Sequence, residues 1–406
     1  MKKHLLLLFL ALLPLFASAY DAEIDGIYYN FEGDKATVTY QNSGTYTSDY
    51  SGAIVIPQTV VYKGITYSVT SIGEWAFYSC SALTSITIPN SVTKIENYAF
   101  NYSTGLSSIT IPSSVTDLGV YAVINCSRLA SIVVESGNVK YDSRNNCNAI
   151  IETATNTLIA GCMNTVIPGS VTSINNGAFQ KCTNLTSITI PNSVKSIGLL
   201  SFSNCTSLTS VDIPSSVTSI GSSAFSGCTS LASVTISGSA TNISERAFQD
   251  CIGITDVFCY TEEVPTTGID VFMNSSIASA TLHVPASAIE LYKNAEPWNQ
   301  FKTVVAITPQ CQKPVIVYKA GSLQFRCETE GVKYVYSIAS SGESTNGTIS
   351  LNTTFTVSVY ATREGYKNSE TVTKTIDMAQ VGDMNGDGLI SIADVTTLVN
   401  LILGRN

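Results

Sequence analysis

The chain has 406 residues, of which 44% are hydrophobic and only 13% charged, with 21 Lys+Arg against 30 Asp+Glu for a net charge of −9. That length allows two or three domains and a real core, while the acidic balance repels nucleic-acid phosphates and anionic membrane surfaces. Only two histidines occur, His4 and His283; they leave no multi-histidine metal site and little scope for histidine-based catalysis.

The N-terminus opens with Lys2 and Lys3, an apolar run from Leu5 to Phe16, and Ala17-Ser18-Ala19. This is the pattern of a secretory signal peptide, residues 1–19, cleaved after Ala19. The run is shorter than the ~20 apolar residues of a spanning helix. Residues 20–70 follow as short alternating strands (IYYNF, ATVTY, AIVIP, ITYSV), read as an N-terminal β cap.

From about residue 71 the chain repeats itself every 23 residues. Ile-Pro recurs at Pro89 and Pro112, then at Pro168, Pro191 and Pro214. Phe77 and Phe100, then Phe179, Phe202, Phe225 and Phe248, keep the same step, as do Cys182, Cys205, Cys228 and Cys251. Within a unit, Ile188 and Ile190 alternate with Ser187 and Thr189, the period of a strand with one apolar and one hydroxyl face. Pro191 ends that strand because it has no N–H for a ladder.

A single unit cannot bury its apolar face, but stacked units can, so the pattern predicts a solenoid over residues 71–308. Its leading positions are Leu83, Leu106, Leu129, Cys162, Leu185, Leu208, Leu231 and Ile254. The step of 33 residues before Cys162 implies an excursion, placed at Asn138–Asn148. TLHVP supplies a last strand, Ser287 is expected to cap a short helix through Tyr292, and Pro297-Trp298 to fold over the end.

The stretches ITIPNSVTKIENYAF and ITIPNSVKSIGLLSF resemble BspA-type leucine-rich repeats of secreted bacterial surface proteins. The resemblance covers about residues 54–308. It implies a mainly β leucine-rich-repeat solenoid with short helices, and adhesion to host or bacterial surface macromolecules.

Of the 11 cysteines, Cys80, Cys126, Cys182, Cys205, Cys228 and Cys251 share one inward column, while Cys162 and Cys259 replace a repeat Leu and Ile. These eight are expected to be reduced and to act as small hydrophobes in the core. Cys147 falls in the excursion. Cys311 and Cys327 lie outside the repeat and are the candidates for a disulfide.

Beyond the solenoid, residues 309–378 contain alternating runs (VIVYK, LQFRCE, VKYVYSI, FTVSVYA, TVTKTI). They read as a small β-sandwich resembling immunoglobulin-like spacer modules. In the tail, residues 380–406, the side chains of Asp383, Asn385, Asp387, Ser391 and Asp394 and the carbonyl of Leu389 have the spacing of a calcium loop, with Gly388 at the sharp turn. This loop and the apolar helix face after it resemble one unit of a type I dockerin, which implies a calcium cofactor and a cohesin-like partner.

No nucleophile elbow, P-loop, zinc-protease or dinucleotide motif occurs, so the expectation is a non-enzyme. Outward strand positions are mostly Ser and Thr; they vary late in the stack, where Asp212, Asp256, Phe258 and His283 form a possible ligand patch. Asp212 should lie three rungs from His283, ~14 Å at the strand spacing. The reading is a secreted interaction protein that binds a protein or glycan ligand through the solenoid face. The alternative is an accessory component of a polysaccharide-degrading assembly, attached through the dockerin-like tail. Neither reading involves nucleic acid or a membrane span.

Overall fold

The computed structural model describes residues 19–41, 49–237, 242–308, 311–319, 322–345, 348–363 and 366–377. The signal segment up to Ser18 and the calcium loop, Asp383 to Asp394, lie outside the described residues. The chain divides between Ile307 and Thr308 into two units.

The first unit is a mainly β solenoid. Its cap is an antiparallel meander, Ala22–Ile24, Ile27–Glu32 and Lys35–Thr39, whose last strand pairs in parallel with Ile65–Ile72. Ile65–Ile72 then hands its register to the coils, with Ser71 opposite Lys94 and Ile72 opposite Ile95. The cap therefore continues one ladder of the stack, and Tyr29, Ala36, Val38 and Val69 seal the first coil.

Coil follows coil in the register that the repeat dictates. Ser108 pairs with Ser131, and Ser210 with Ser233, Asp256, Thr281 and Thr303 in turn. A narrower ladder on another side joins Ser173, Ser196, Ser219, Asn242 and Thr266. All eight leading positions are buried. The phenylalanines stack nearly parallel, 4.9 Å between Phe179 and Phe202 and 5.1 Å between Phe202 and Phe225, an offset made possible by the strand spacing. Each Ile-Pro closes a turn in which the Val three residues on donates its N–H to the proline carbonyl, as Val194 does to Pro191 at 3.0 Å.

The repeat cysteines are free and buried, as the repeat phase implies, and their packing adds hydrogen bonds. All eleven cysteines are free, but the repeat thiols do have partners. Cys126, Cys205, Cys228 and Cys251 each direct Sγ to the carbonyl of the phenylalanine one coil back, at 3.1–3.2 Å. Ser103 and Ser275 occupy the same slot and donate to Phe77 O and Phe248 O at 2.5 Å. The column is thus a row of small donors, each serving a buried carbonyl. Burial pushes these thiols up, Cys126 and Cys228 to about 12, which keeps them protonated and unreactive.

The irregular coil is larger than Asn138–Asn148. Tyr141–Asp142 and a 3-10 turn at Arg144–Asn146 lead into an antiparallel hairpin, Ala149–Glu152 with Thr157–Gly161. Both ladders break here. The narrow one stops at Asp117–Leu118 and restarts from Thr157–Gly161. On the strand face, Cys162 to Thr165 form a turn, with Thr165 N bonded to Cys162 O at 3.2 Å. The neighbouring Ser187–Ile190 segment is not a ladder strand, although Ile190 is still buried. The apolar core is correspondingly in two clusters, one from Ile27 to Cys162 and one from Cys147 to Phe301.

At the far end, Trp298 is fully buried and meets Phe272 and Tyr292 edge-on at 5.6 and 5.5 Å. Ser287 is not a helix cap. It lies within a 3-10 turn, Ala286–Ala288, and donates its hydroxyl to Glu262, while the short helix Ile289–Lys293 starts after Ala288.

The second unit contains a two-stranded sheet, Val315–Lys319 with Ser322–Arg326, and a three-stranded antiparallel sheet, Lys333–Thr345, Thr348–Thr362 and Val372–Asp377. Ile316, Val357, Val359 and Ile376 form their shared core. The expected Cys311–Cys327 disulfide is not formed. Cys311 is buried, and the Cys327 thiol is directed instead at Gln312 O, 3.1 Å away.

Candidate functional site: the strand face of the solenoid

Along strands Ser210–Ile213, Ser233–Ile236, Asp256–Cys259 and Thr281–Val284, alternate residues point inward and are buried. The outward residues form two rows across the strands. One row is Ser210, Ser233, Asp256, Thr281 and Thr303; the other is Asp212, Thr235, Phe258, His283 and Val305.

Three of the four expected patch residues come together. His283 Nε2 lies 2.8 Å from Asp256 Oδ1, a diagonal contact between the rows, and the imidazole stacks on Phe258 with centroids 4.2 Å apart and planes 11° off parallel. Asp256 is 40% exposed and His283 21%, so their ion pair, when His283 is charged, is worth ~0–1 kcal/mol. Asp212 is not part of this cluster. The register sets it two rungs from Phe258 and three from His283.

No Ser or Thr hydroxyl among the described residues hydrogen-bonds to His283, so this pair does not form a Ser-His-Asp relay. The described residues also contain no group of three or more His, Cys, Asp and Glu side chains suited to a metal ion. What the patch offers is a half-exposed aromatic ring and an acid–imidazole pair in a field of short hydroxyls. Such a surface supports recognition.

Sequence reasoning missed a second aromatic feature. Trp75, Tyr98 and Tyr121 recur at the 23-residue step, and their rings follow one another at 6.1 and 5.7 Å. All three have left-handed backbone, φ 55°, 56° and 57°, which costs a non-glycine residue about 1–2 kcal/mol. Leu200, Ser223 and Arg246 hold the same conformation at equivalent corners. The signal in the sequence was the aromatic identity at a fixed repeat position. A second bridge, Lys181 Nζ to Tyr102 OH at 3.0 Å and 4.5 Å above the ring, spans the irregular coil.

No helix among the described residues is long and apolar enough to cross a membrane. No curated protein matches the chain. Among solved structures, a leucine rich cell surface protein from Faecalibacterium prausnitzii is 21% identical over 70% of this chain and 94% of its own, with a TM-score of 0.41. The pneumococcal vaccine antigen PcpA is 15% identical over 70% and 98%, TM-score 0.34. A leucine-rich repeat protein from Bacteroides ovatus is 20% identical over 71% and 100%, TM-score 0.31. The model of the BspA type leucine rich repeat region matches six copies over residues 61–157 and 160–293, more than half of the chain. With the stacked coils and their fixed register, that match makes the chain a member of the BspA-type leucine-rich repeat family.

Proposed function

We propose that the protein is exported and displayed at the cell surface, where it binds a host or bacterial surface protein through the strand face of its solenoid. The observation that carries this reading is the Asp256–Phe258–His283 cluster. It is an acid–imidazole pair and a half-exposed aromatic on a parallel sheet, the composition of an interface anchor. The signal pattern that ends at Ala19 supports export, and membership of the repeat family supports protein recognition. The test is binding of the mature chain to immobilised host matrix proteins and bacterial surface proteins. Phe258→Ala should weaken capture of the cognate ligand about tenfold or more, with an unchanged melting temperature. Equal capture by the variant would move the interface elsewhere.

We further propose that Asp383, Asn385, Asp387, Leu389, Ser391 and Asp394 hold one calcium ion, and that the tail joins the protein to a cohesin-like module. The alternating oxygen-bearing side chains around Gly388 support this. Calorimetric titration of the mature chain with calcium tests the ion, and pull-down on an immobilised cohesin tests the partner.

A further inference from the structure

Where the coils are regular, the left-handed corner residue donates its N–H to a carbonyl one coil ahead. Trp75 bonds to Asn97 O, Tyr98 to Val120 O, Gly177 to Leu199 O and Leu200 to Ser222 O, at 2.8–3.2 Å. Tyr121 breaks this series. The acceptor equivalent by repeat position is Asn176 O, and among the described residues the two groups do not meet. The hairpin ending at Gly161 holds these coils apart. A cleft of about 280 Å³ remains, lined by Tyr121, Ile124, Lys140, Glu152, Ile159 and Asn176.

The aromatic strip leads into this cleft. Gly177 allows it to do so: a Cβ there would come within 2.8 Å of Tyr121 Cε1, so the ring lies against bare backbone. The left-handed corner recurs from coil to coil; what sets Tyr121 apart is that its corner meets a gap in the ladder.

We propose that this seam binds a neutral saccharide, with Tyr121 as the platform for one pyranose ring and with Tyr98 and Trp75 extending the platform to further sugar units. The one lysine and one glutamate in the lining cancel, which disfavours a strongly charged ligand. The remaining groups alternate between donors and acceptors. Asn176 Oδ1 is held by Leu199 N at 2.8 Å, which leaves its amide hydrogens to donate. Among the described residues Glu152 accepts a hydrogen bond only through Oε2, from the Thr155 hydroxyl at 2.7 Å. Tyr121 N–H and Asn176 C=O add a backbone donor and acceptor whose partner must come from outside the repeat. A sugar ring presents hydroxyls of both kinds at its edge and C–H groups on its face, which complements this mixed lining and an aromatic platform.

The test titrates the mature chain with tetrasaccharides of glucose, xylose and N-acetylglucosamine, with a released mannose-rich N-glycan, and with a sialylated oligosaccharide as the charged control. The tetrasaccharide and N-glycan arms distinguish a polysaccharide source from a glycoprotein source. Binding is read by saturation-transfer NMR and by tryptophan emission. The chain has two tryptophans, and Trp298, fully buried, gives a constant background against which Trp75 reports. At least one neutral probe should bind and change the emission, and Tyr121→Ala should weaken it about tenfold or more. Because that variant also removes the Gly177 contact, Tyr98→Ala with an unchanged melting temperature provides an independent loss. No neutral probe binding, binding of the sialylated control alone, or unchanged binding by both variants overturns the proposal.

Discussion

Replacing Cys205 separates two accounts of the cysteine column. If the thiol is only a small hydrophobe, Cys205→Ser buries a hydroxyl with no partner in a fully buried site, at a cost of ~1–3 kcal/mol, and Cys205→Ala is the milder change. The structure reverses that order. Cys205 Sγ is 3.1 Å from Phe179 O, and serine already performs this task at Ser103 and Ser275. Serine and alanine differ by little more than the hydroxyl, so the difference between the variants isolates the donor. Cys205→Ser should be the more stable by ~0.5–1.5 kcal/mol, the net worth of one such bond. Paired denaturant titrations under reducing conditions read the difference as a shift in midpoint. Stacked repeats unfold through nearest-neighbour interfaces, so the variants are compared with each other and not converted singly to a global free energy. Alanine proving the more stable would refute the donor account.

In the native protein at mild alkaline pH, a thiol reagent should leave Cys126 and Cys228, raised to about 12 by burial, unlabelled, and unfolding should release them; mass spectrometry of labelled peptides checks this. Gly161→Ala should destabilise the irregular coil by ~1–3 kcal/mol, because its Cβ would come within 2.1 Å of the Phe179 ring, measured as a lowered denaturation midpoint. Chelation of calcium should expose residues 380–406 to proteolysis while the solenoid stays intact, and Asp387→Ala should mimic chelation; identical digestion with and without calcium would remove the ion from the account.

The repeat was legible because identical positions face identical neighbours in every coil. The register of Ser210, Ser233 and Asp256 and the burial of the leading residues follow from the 23-residue step, and the plug at Trp298 from the need to cover the last coil. The irregular coil was only partly legible. Its length marked an insertion, but the hairpin from Ala149 to Gly161 pairs antiparallel within itself, and no period announces such a pairing. The alternation at Ser187–Ile190 likewise announced a strand, and the structure has no ladder strand there. The cysteine partners were invisible for another reason. A period shows that a side chain points inward, but not that a carbonyl one coil back waits for it. At the candidate site, alternation put Asp212, Asp256, Phe258 and His283 outward, but grouping Asp212 with the others overlooked the two rungs between it and Phe258, and the diagonal contact between Asp256 and His283 depends on rotamers.

The measurement that bears most directly on the central claim is hydroxyl-radical footprinting of the mature chain with and without a captured protein ligand. Side chains on the strand face should become protected, with Phe258 and His283 the most strongly shielded. Unchanged reactivity at those two residues, with protection confined to other surfaces, would contradict recognition through the strand face.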